Sequence, residues 1–207
     1  MRIVYRFLGV SALLLALGVS LATAQPQELP LGSSLPMQDH AVQHVDGTQT
    51  TIGALTGTAG TVFLFWSNQC AWVDKYEERV LALHDQFAEQ GIHFVLVNAN
   101  DPNAFPKEAA AAGQAKNYPM AYVVDAGSQF ARGLGAFRTP HAFAFDANKT
   151  LVYTGAIDDS PGDPANVQKT YLERLAGALA QGGAIGDEAD YPPSTKAFGC
   201  RIKFQMP

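Results

Sequence analysis

The chain has 207 residues, a formal net charge of −5 and a hydrophobic fraction of 47%. That is enough apolar material for one domain with a well-buried core. An acidic chain without basic runs argues against nucleic acid or an anionic membrane as partner, and its two cysteines allow a single pairing.

The first predicted element is a leader. Arg2 and Arg6 precede an apolar stretch from Phe7 to Leu21, and Ala22-Thr23-Ala24 places small residues at a cleavage position before Gln25. The stretch is short for a membrane span and no second one follows. The expectation is a signal peptide over 1–24, no stable membrane insertion after its removal, and a periplasmic or secreted product in which a disulfide is chemically available.

Beyond a polar, Pro-containing lead-in, Ala41–Val45 and Thr50–Ile52 flank Asp46-Gly47, a hairpin signal. Gly60–Trp66 reads as a buried strand. From Cys70 to Gln90 the apolar residues Val73, Tyr76, Val80, Leu83 and Phe87 recur at steps of three and four, one face of a helix closed by Gly91. Ile92–Val97 suits a central parallel strand. Pro106–Ala115 reads as a short helix, Ala121–Val124 as a strand and Ser128–Gly133 as another short helix.

A second hairpin pairs His141–Phe145 with Leu151–Thr154. Asp163-Pro164 predicts the start of the last helix, with Val167, Tyr171, Leu175 and Leu179 as its apolar face. The order of elements predicts an α/β fold, a mixed central sheet with helices on both faces. The division expected is 25–183 for the domain and 184–207 for a tail. Phe198, Ile202 and Phe204, which alternate with basic residues around Cys200, predict that this tail docks as a strand.

Cys70 carries the chemistry. It sits where a strand hands over to a helix, facing unsatisfied backbone N–H groups and the positive end of the helix dipole, which favour thiolate over thiol. Partial exposure and a depressed thiol pKa are therefore expected. A second landmark is Thr139-Pro140, before a strand. Proline there removes one N–H and leaves the Thr139 backbone free to pair with an incoming peptide.

Phe65-Trp66-Ser67-Asn68-Gln69-Cys70 resembles the active-site turn of the thioredoxin superfamily, Phe-Trp-x-x-x-Cys-x-x-Cys, and Thr139-Pro140 resembles its cis-proline. The lead-in from Leu31, the segment Asn98-Ala99-Asn100-Asp101-Pro102 and the terminal Gly199-Cys200-Arg201-Ile202-Lys203 are similar to the redoxin and thiol-specific-antioxidant branch, in an exported bacterial form with one active-site cysteine. The resemblance covers most of the chain beyond the leader. It implies a thioredoxin-like fold with an extra N-terminal hairpin, a cis Thr139-Pro140 bond beside Cys70, and thiols, disulfides or hydroperoxides as substrates.

Three positions depart from these families. Val73 stands where the second cysteine belongs. Phe63 stands where peroxiredoxins carry proline, although Ser67 matches their threonine or serine. Leu64 replaces the buried aspartate of thioredoxin. What remains is Cys70 with Cys200, and three arrangements stay open: Cys200 resolving an intermediate on Cys70, a structural disulfide holding the tail, or a reduced Cys200 packed among Phe198 and Phe204.

The catalytic candidates are thus Cys70 and Cys200, with Trp66, Trp72, Thr139 and Pro140 for substrate binding. No cofactor and no metal are expected; His40 and His44 have a metal-ligand spacing but lie in a strand-like region. His141 is weighed as an aid to thiolate formation and as a strand-surface residue, and Glu77 as a solvated charge. The function that follows is an exported thiol–disulfide oxidoreductase. The rivals are a thiol peroxidase resolved by Cys200 and a non-catalytic binding module with a structural Cys70–Cys200 disulfide.

Overall fold

The structure is a computed structural model that describes residues 27–183 and 191–205. The leader expected over 1–24 lies outside the described residues.

The sheet is built outward from β3 (Gly60–Trp66), whose seven residues are all buried. It pairs in parallel with β4 (Ile92–Asn98) and antiparallel with β7 (His141–Asp146). With β1 (Ala41–His44), β2 (Gln49–Thr51), β5 (Ala121–Val124) and β8 (Leu151–Gly155), the order is β2-β1-β5-β4-β3-β7-β8. The hairpin β1–β2 joins the sheet through β5. A strand that alternates between two apolar sets needs cover on both sides. Val62, Leu64 and Trp66 face α1 (Ala71–Phe87) and α4 (Tyr171–Ala180), while Phe63 and Phe65 face α3 (Gln129–Leu134). The second face is aromatic, with the Phe63 and Phe130 rings edge to face at 5.1 Å. This is the mixed sheet, covered on both faces, of a thioredoxin-like fold. No helix among the described residues is long and apolar enough to cross a membrane.

Two predicted helices need correction. The last one does not run from Pro164. Asp163 caps only a 3₁₀ turn over Pro164–Asn166, accepting from the Ala165 N–H at 2.9 Å. The Asp159 carboxylate then takes the Gln168 and Lys169 N–H groups at 2.9 and 3.1 Å, which holds that stretch out of a helix. The helix starts at Tyr171, and its buried face is Leu172, Leu175, Ala176 and Leu179; Val167 is not part of it. The segment Pro106–Ala115 is also broken, into a 3₁₀ turn at Pro106–Glu108 and α2 (Ala110–Gln114). Ala109 between them is extended, and the Glu108 carbonyl is bonded by the Asn98 side chain at 3.1 Å instead of by a helical N–H.

Candidate functional site

Cys70 is the N-cap of α1, in an extended conformation, with its carbonyl accepting from Val73 and Asp74. The apolar periodicity of α1 drives its inner face into the core and so fixes where its first turn lies. The peptide bond Thr139-Pro140 is cis. Thr139 belongs to a short strand, β6 (Arg138–Thr139), and its carbonyl oxygen lies 3.2 Å from Cys70 Sγ.

The tail completes the site. Strand β9 (Cys200–Arg201) pairs antiparallel with β6, with Cys200 opposite Thr139 and Arg201 opposite Arg138. Cys70 and Cys200 form a disulfide across a sequence separation of 130, with Cα atoms 6.1 Å apart. On one side Tyr191–Thr195 runs along β8, Thr195 donating to Thr154 at 3.0 Å. On the other, Asp101 donates to the Lys203 carbonyl at 2.8 Å and the Lys203 N–H reaches Asn100 Oδ1 at 2.9 Å. Ile202 is buried. Phe204 is half-buried, under the Arg132 guanidinium at 4.5 Å.

Docking of the tail corrects one expectation. Cys70 is 2% exposed instead of partly accessible, because β9 and the disulfide cover it. Phe198 docks through the Trp72 ring, edge to face at 4.6 Å, while 47% of it stays exposed.

The other candidates separate in space. Thr139, Pro140 and Trp72 come together around Cys70 and the tail. Trp66 does not: its ring is 1% exposed and its Nε1 donates to the Tyr118 hydroxyl at 3.4 Å, so it is core and offers no binding surface. His141 is neither a surface residue nor a supplier of charge. It is fully buried, with Nε2 3.2 Å from Thr154 Oγ1, and burial brings its pKa down to about 3, so the imidazole is neutral. Glu77 is half-buried and accepts from Lys116 Nζ at 3.0 Å. His40 Nε2 lies 3.9 Å from Asp125. Among the described residues no cluster of His, Cys, Asp or Glu is placed to hold a metal ion.

One member of the site escaped sequence reasoning altogether. Glu108 is 2% exposed and its carboxylate lies beneath the turn that leads into Cys70. Oε1 accepts from Ser67 Oγ at 2.5 Å, and Oε2 from the Asn68 N–H at 2.9 Å and Asn98 Nδ2 at 3.0 Å. Asn68 Oδ1 in turn accepts from the Tyr122 hydroxyl at 2.6 Å. Asn98 Oδ1 accepts from Asn100 Nδ2 at 2.9 Å. A buried carboxylate without hydrogen bonds is very unfavourable, so this one fixes the Ser67-Asn68 turn, and with it the approach to Cys70. A lone glutamate in an Ala-rich segment gives no sequence signal for this. The segment Asn98-Ala99-Asn100 entered the sequence reading only as part of the family resemblance.

Comparison with known proteins agrees with this geometry. A hypothetical protein of Sinorhizobium meliloti 1021 is 28% identical, covers 87% of this chain and 98% of its own, and superposes with a TM-score of 0.75. An uncharacterised conserved protein of Geobacillus kaustophilus is 27% identical over 85% of this chain and 93% of its own, with a TM-score of 0.74. A Chlorobium tepidum protein provisionally assigned as the thiol:disulfide interchange protein DsbE is 19% identical over 74% and 99%, with a TM-score of 0.56, and shares the fold. No curated protein matches. The family model described as Redoxin matches residues 30–171, from the lead-in through the Cys70 turn and the cis-proline to the start of α4; the chain belongs to the redoxin family.

Proposed function

We propose that the protein is a thiol–disulfide oxidoreductase in which Cys70 is the nucleophile and Cys200 the resolving thiol. The observation that carries this is the position of Cys200. It is bonded to the helix-capping cysteine and lies in register with Thr139 beside the cis-proline, where a substrate sulfur would have to sit. In the reduced form the Cys70 thiolate attacks a substrate disulfide R–S–S–R′, forming Cys70–S–S–R and releasing R′–S⁻. Cys200 thiolate then attacks Cys70 Sγ and expels R–S⁻. Two electrons have passed to the substrate and the Cys70–Cys200 bond has formed; the same steps run backwards oxidise a dithiol. Each step leaves the proton count to the thiols, which the helix N-terminus biases toward thiolate at Cys70.

Ser67 speaks against the peroxidase alternative. Its hydroxyl, which a peroxidatic site would turn toward the substrate, is donated to Glu108. Arg2, Arg6 and the apolar stretch behind them support export to a compartment where such exchange is possible.

The test equilibrates the purified protein with glutathione buffers, traps free thiols by alkylation and counts them by mass. A redox-active pair titrates between the two forms within the range spanned by known exchange proteins, about −120 to −270 mV. In that case Cys200→Ser also accumulates mixed disulfides at Cys70, and Cys70→Ser does not. A bond that stays closed in the most reducing buffer marks a structural disulfide and refutes the proposal.

A further inference from the structure

The contacts that hold Phe198–Ile202 in place are of a kind that a foreign peptide can make. Strand β9 is bound to β6 through backbone pairing. The Ile202 N–H donates to the Phe137 carbonyl at 3.1 Å, and Arg138 Nη1 donates to the Gly199 carbonyl at 2.9 Å. None of these reads the side chains of the tail. An intramolecular disulfide supported by strand pairing has the same local geometry as a mixed disulfide with a partner.

Three positions do read side chains. The Phe198 ring meets the Trp72 ring while half of it stays in water. Gly199 has φ of +154°, and a Cβ there would overlap the Thr139 carbonyl oxygen and lie 3.1 Å from Pro140 Cδ. Arg201 is exposed. Ile202 is buried in the cluster that contains Phe65 and Phe130.

We propose that Phe198–Ile202 is a built-in occupant of the groove between Trp72 and Thr139-Pro140, and that the contacts of this tail define which cysteine-bearing segments of partner proteins the groove prefers. The groove selects glycine immediately before the reacting cysteine and an aromatic side chain two positions before it. Trp72 is then a specificity-determining residue. This rests on the oxidoreductase reading of Cys70 and adds the class of substrate. The tail competes for the groove, so a partner enters when β9 lifts from β6.

The experiment uses the full chain carrying Cys200→Ser, so that Cys70 is the one thiol. Synthetic peptides are supplied as mixed disulfides with 5-thio-2-nitrobenzoate. Cys70 thiolate attacks the peptide sulfur, the Cys70–peptide disulfide forms, and the coloured thiolate leaves. The parent peptide is Phe-Gly-Cys-Arg-Ile with blocked ends. One variant replaces its Phe by Ala, another its Gly by Ala, and the glutathione adduct is the small-thiol control.

The parent should react about five- to tenfold faster than the Phe-to-Ala peptide, the effect of one edge-to-face aromatic contact. The Gly-to-Ala peptide should be slower by about tenfold or more, because a Cβ has no room there. Trp72→Ala should bring the first ratio to about one, with Trp72→Phe keeping part of it. Adding Phe198→Ala to the protein should raise the parent rate by about the factor the peptide lost, since both changes concern one contact.

Equal rates for all peptides and the glutathione adduct overturn the groove proposal and leave the reactivity of Cys70 standing. No reaction with any probe, where a denatured control does react, overturns the oxidoreductase reading and this inference with it.

Discussion

Replacing Glu108 should weaken the protein in a way that depends on what replaces it. The carboxylate is buried and is the acceptor for three donors: the Ser67 hydroxyl, the Asn68 N–H and Asn98 Nδ2. In Glu108→Ala all three lose it. A buried donor left without a partner costs roughly 1–3 kcal/mol. Ser67 and Asn98 are buried, whereas Asn68 is half-exposed and can turn to water. The Ser67 hydroxyl is then orphaned, while Asn98 Nδ2 loses one bond and keeps the residue 108 backbone carbonyl at 3.1 Å, which gives a loss of about 2–4 kcal/mol. Glu108→Gln behaves differently. Its oxygen can take the Oε2 position and keep Asn68 and Asn98, while its amide donates to Ser67 Oγ. One hydroxyl proton is left without an acceptor, a loss of about 1 kcal/mol. Urea unfolding of the oxidised protein, followed by circular dichroism, measures both. An Ala variant within about 1 kcal/mol of the parent, or a Gln variant as damaged as Ala, would refute the account of Glu108 as the brace of the turn.

Two further outcomes concern the disulfide and His141. The disulfide closes a loop of 130 residues, so reduction should lower stability by about 5 kcal/mol in the chain-entropy model, seen as a fall of about 2 M in the urea midpoint. A shift below about 0.5 M would mean that the tail is not tied in solution. His141 should make the protein acid-sensitive. Its folded pKa is depressed from 6.5 to about 3 by burial, so the unfolded chain binds a proton the native one excludes throughout that window. Stability is then full above 6.5 and falls with pH toward 3 by up to about 1.4 kcal/mol per unit. Glu28, 3.8 Å from the imidazole, has its pKa raised by burial, which acts in the opposite sense by weakening the fold as pH rises. His141→Phe should flatten the acid limb of urea midpoints measured from pH 7 to pH 4. An unchanged limb would assign the acid sensitivity elsewhere.

What the sequence disclosed, and what it concealed, divides along the range of the forces involved. The strand Gly60–Trp66, the helical face from Val73 to Phe87 and the hairpin at Asp46-Gly47 are set by local periodicity and turn chemistry, and they stand where that reading put them. The cis bond before Pro140 was legible only through the resemblance, because no local rule distinguishes it from trans. The last helix was misplaced because a good cap, Asp163, says where a helix can begin, not whether a distant carboxylate such as Asp159 will draw the next residues away. Trp66 was a candidate for substrate binding because it adjoins the reactive turn. Strand alternation puts its ring inward with Val62 and Leu64. Glu108 was invisible for the same kind of reason: its donors lie 10, 40 and 41 residues away in sequence.

The replacement of a second turn cysteine by Val73 alters more than the identity of the partner thiol. In a Cys-x-x-Cys turn both sulfurs ride on one helix end, so oxidation moves little backbone and leaves the surface beside the cis-proline open. Here position 73 is core, 1% exposed, and the second sulfur arrives on β9, in register with Thr139. Formation of the bond therefore locks the tail into the groove. The oxidised protein presents a covered Cys70, and the groove can open once the bond is broken and the tail is held only by non-covalent contacts, its hydrogen bonds, Ile202 and the Phe198 and Phe204 rings. On the proposed reading, redox state and access to partners are linked through a single strand. Gly199 is the residue that permits that linkage, since any side chain there would hold β9 away from Thr139 and prevent the bond from closing.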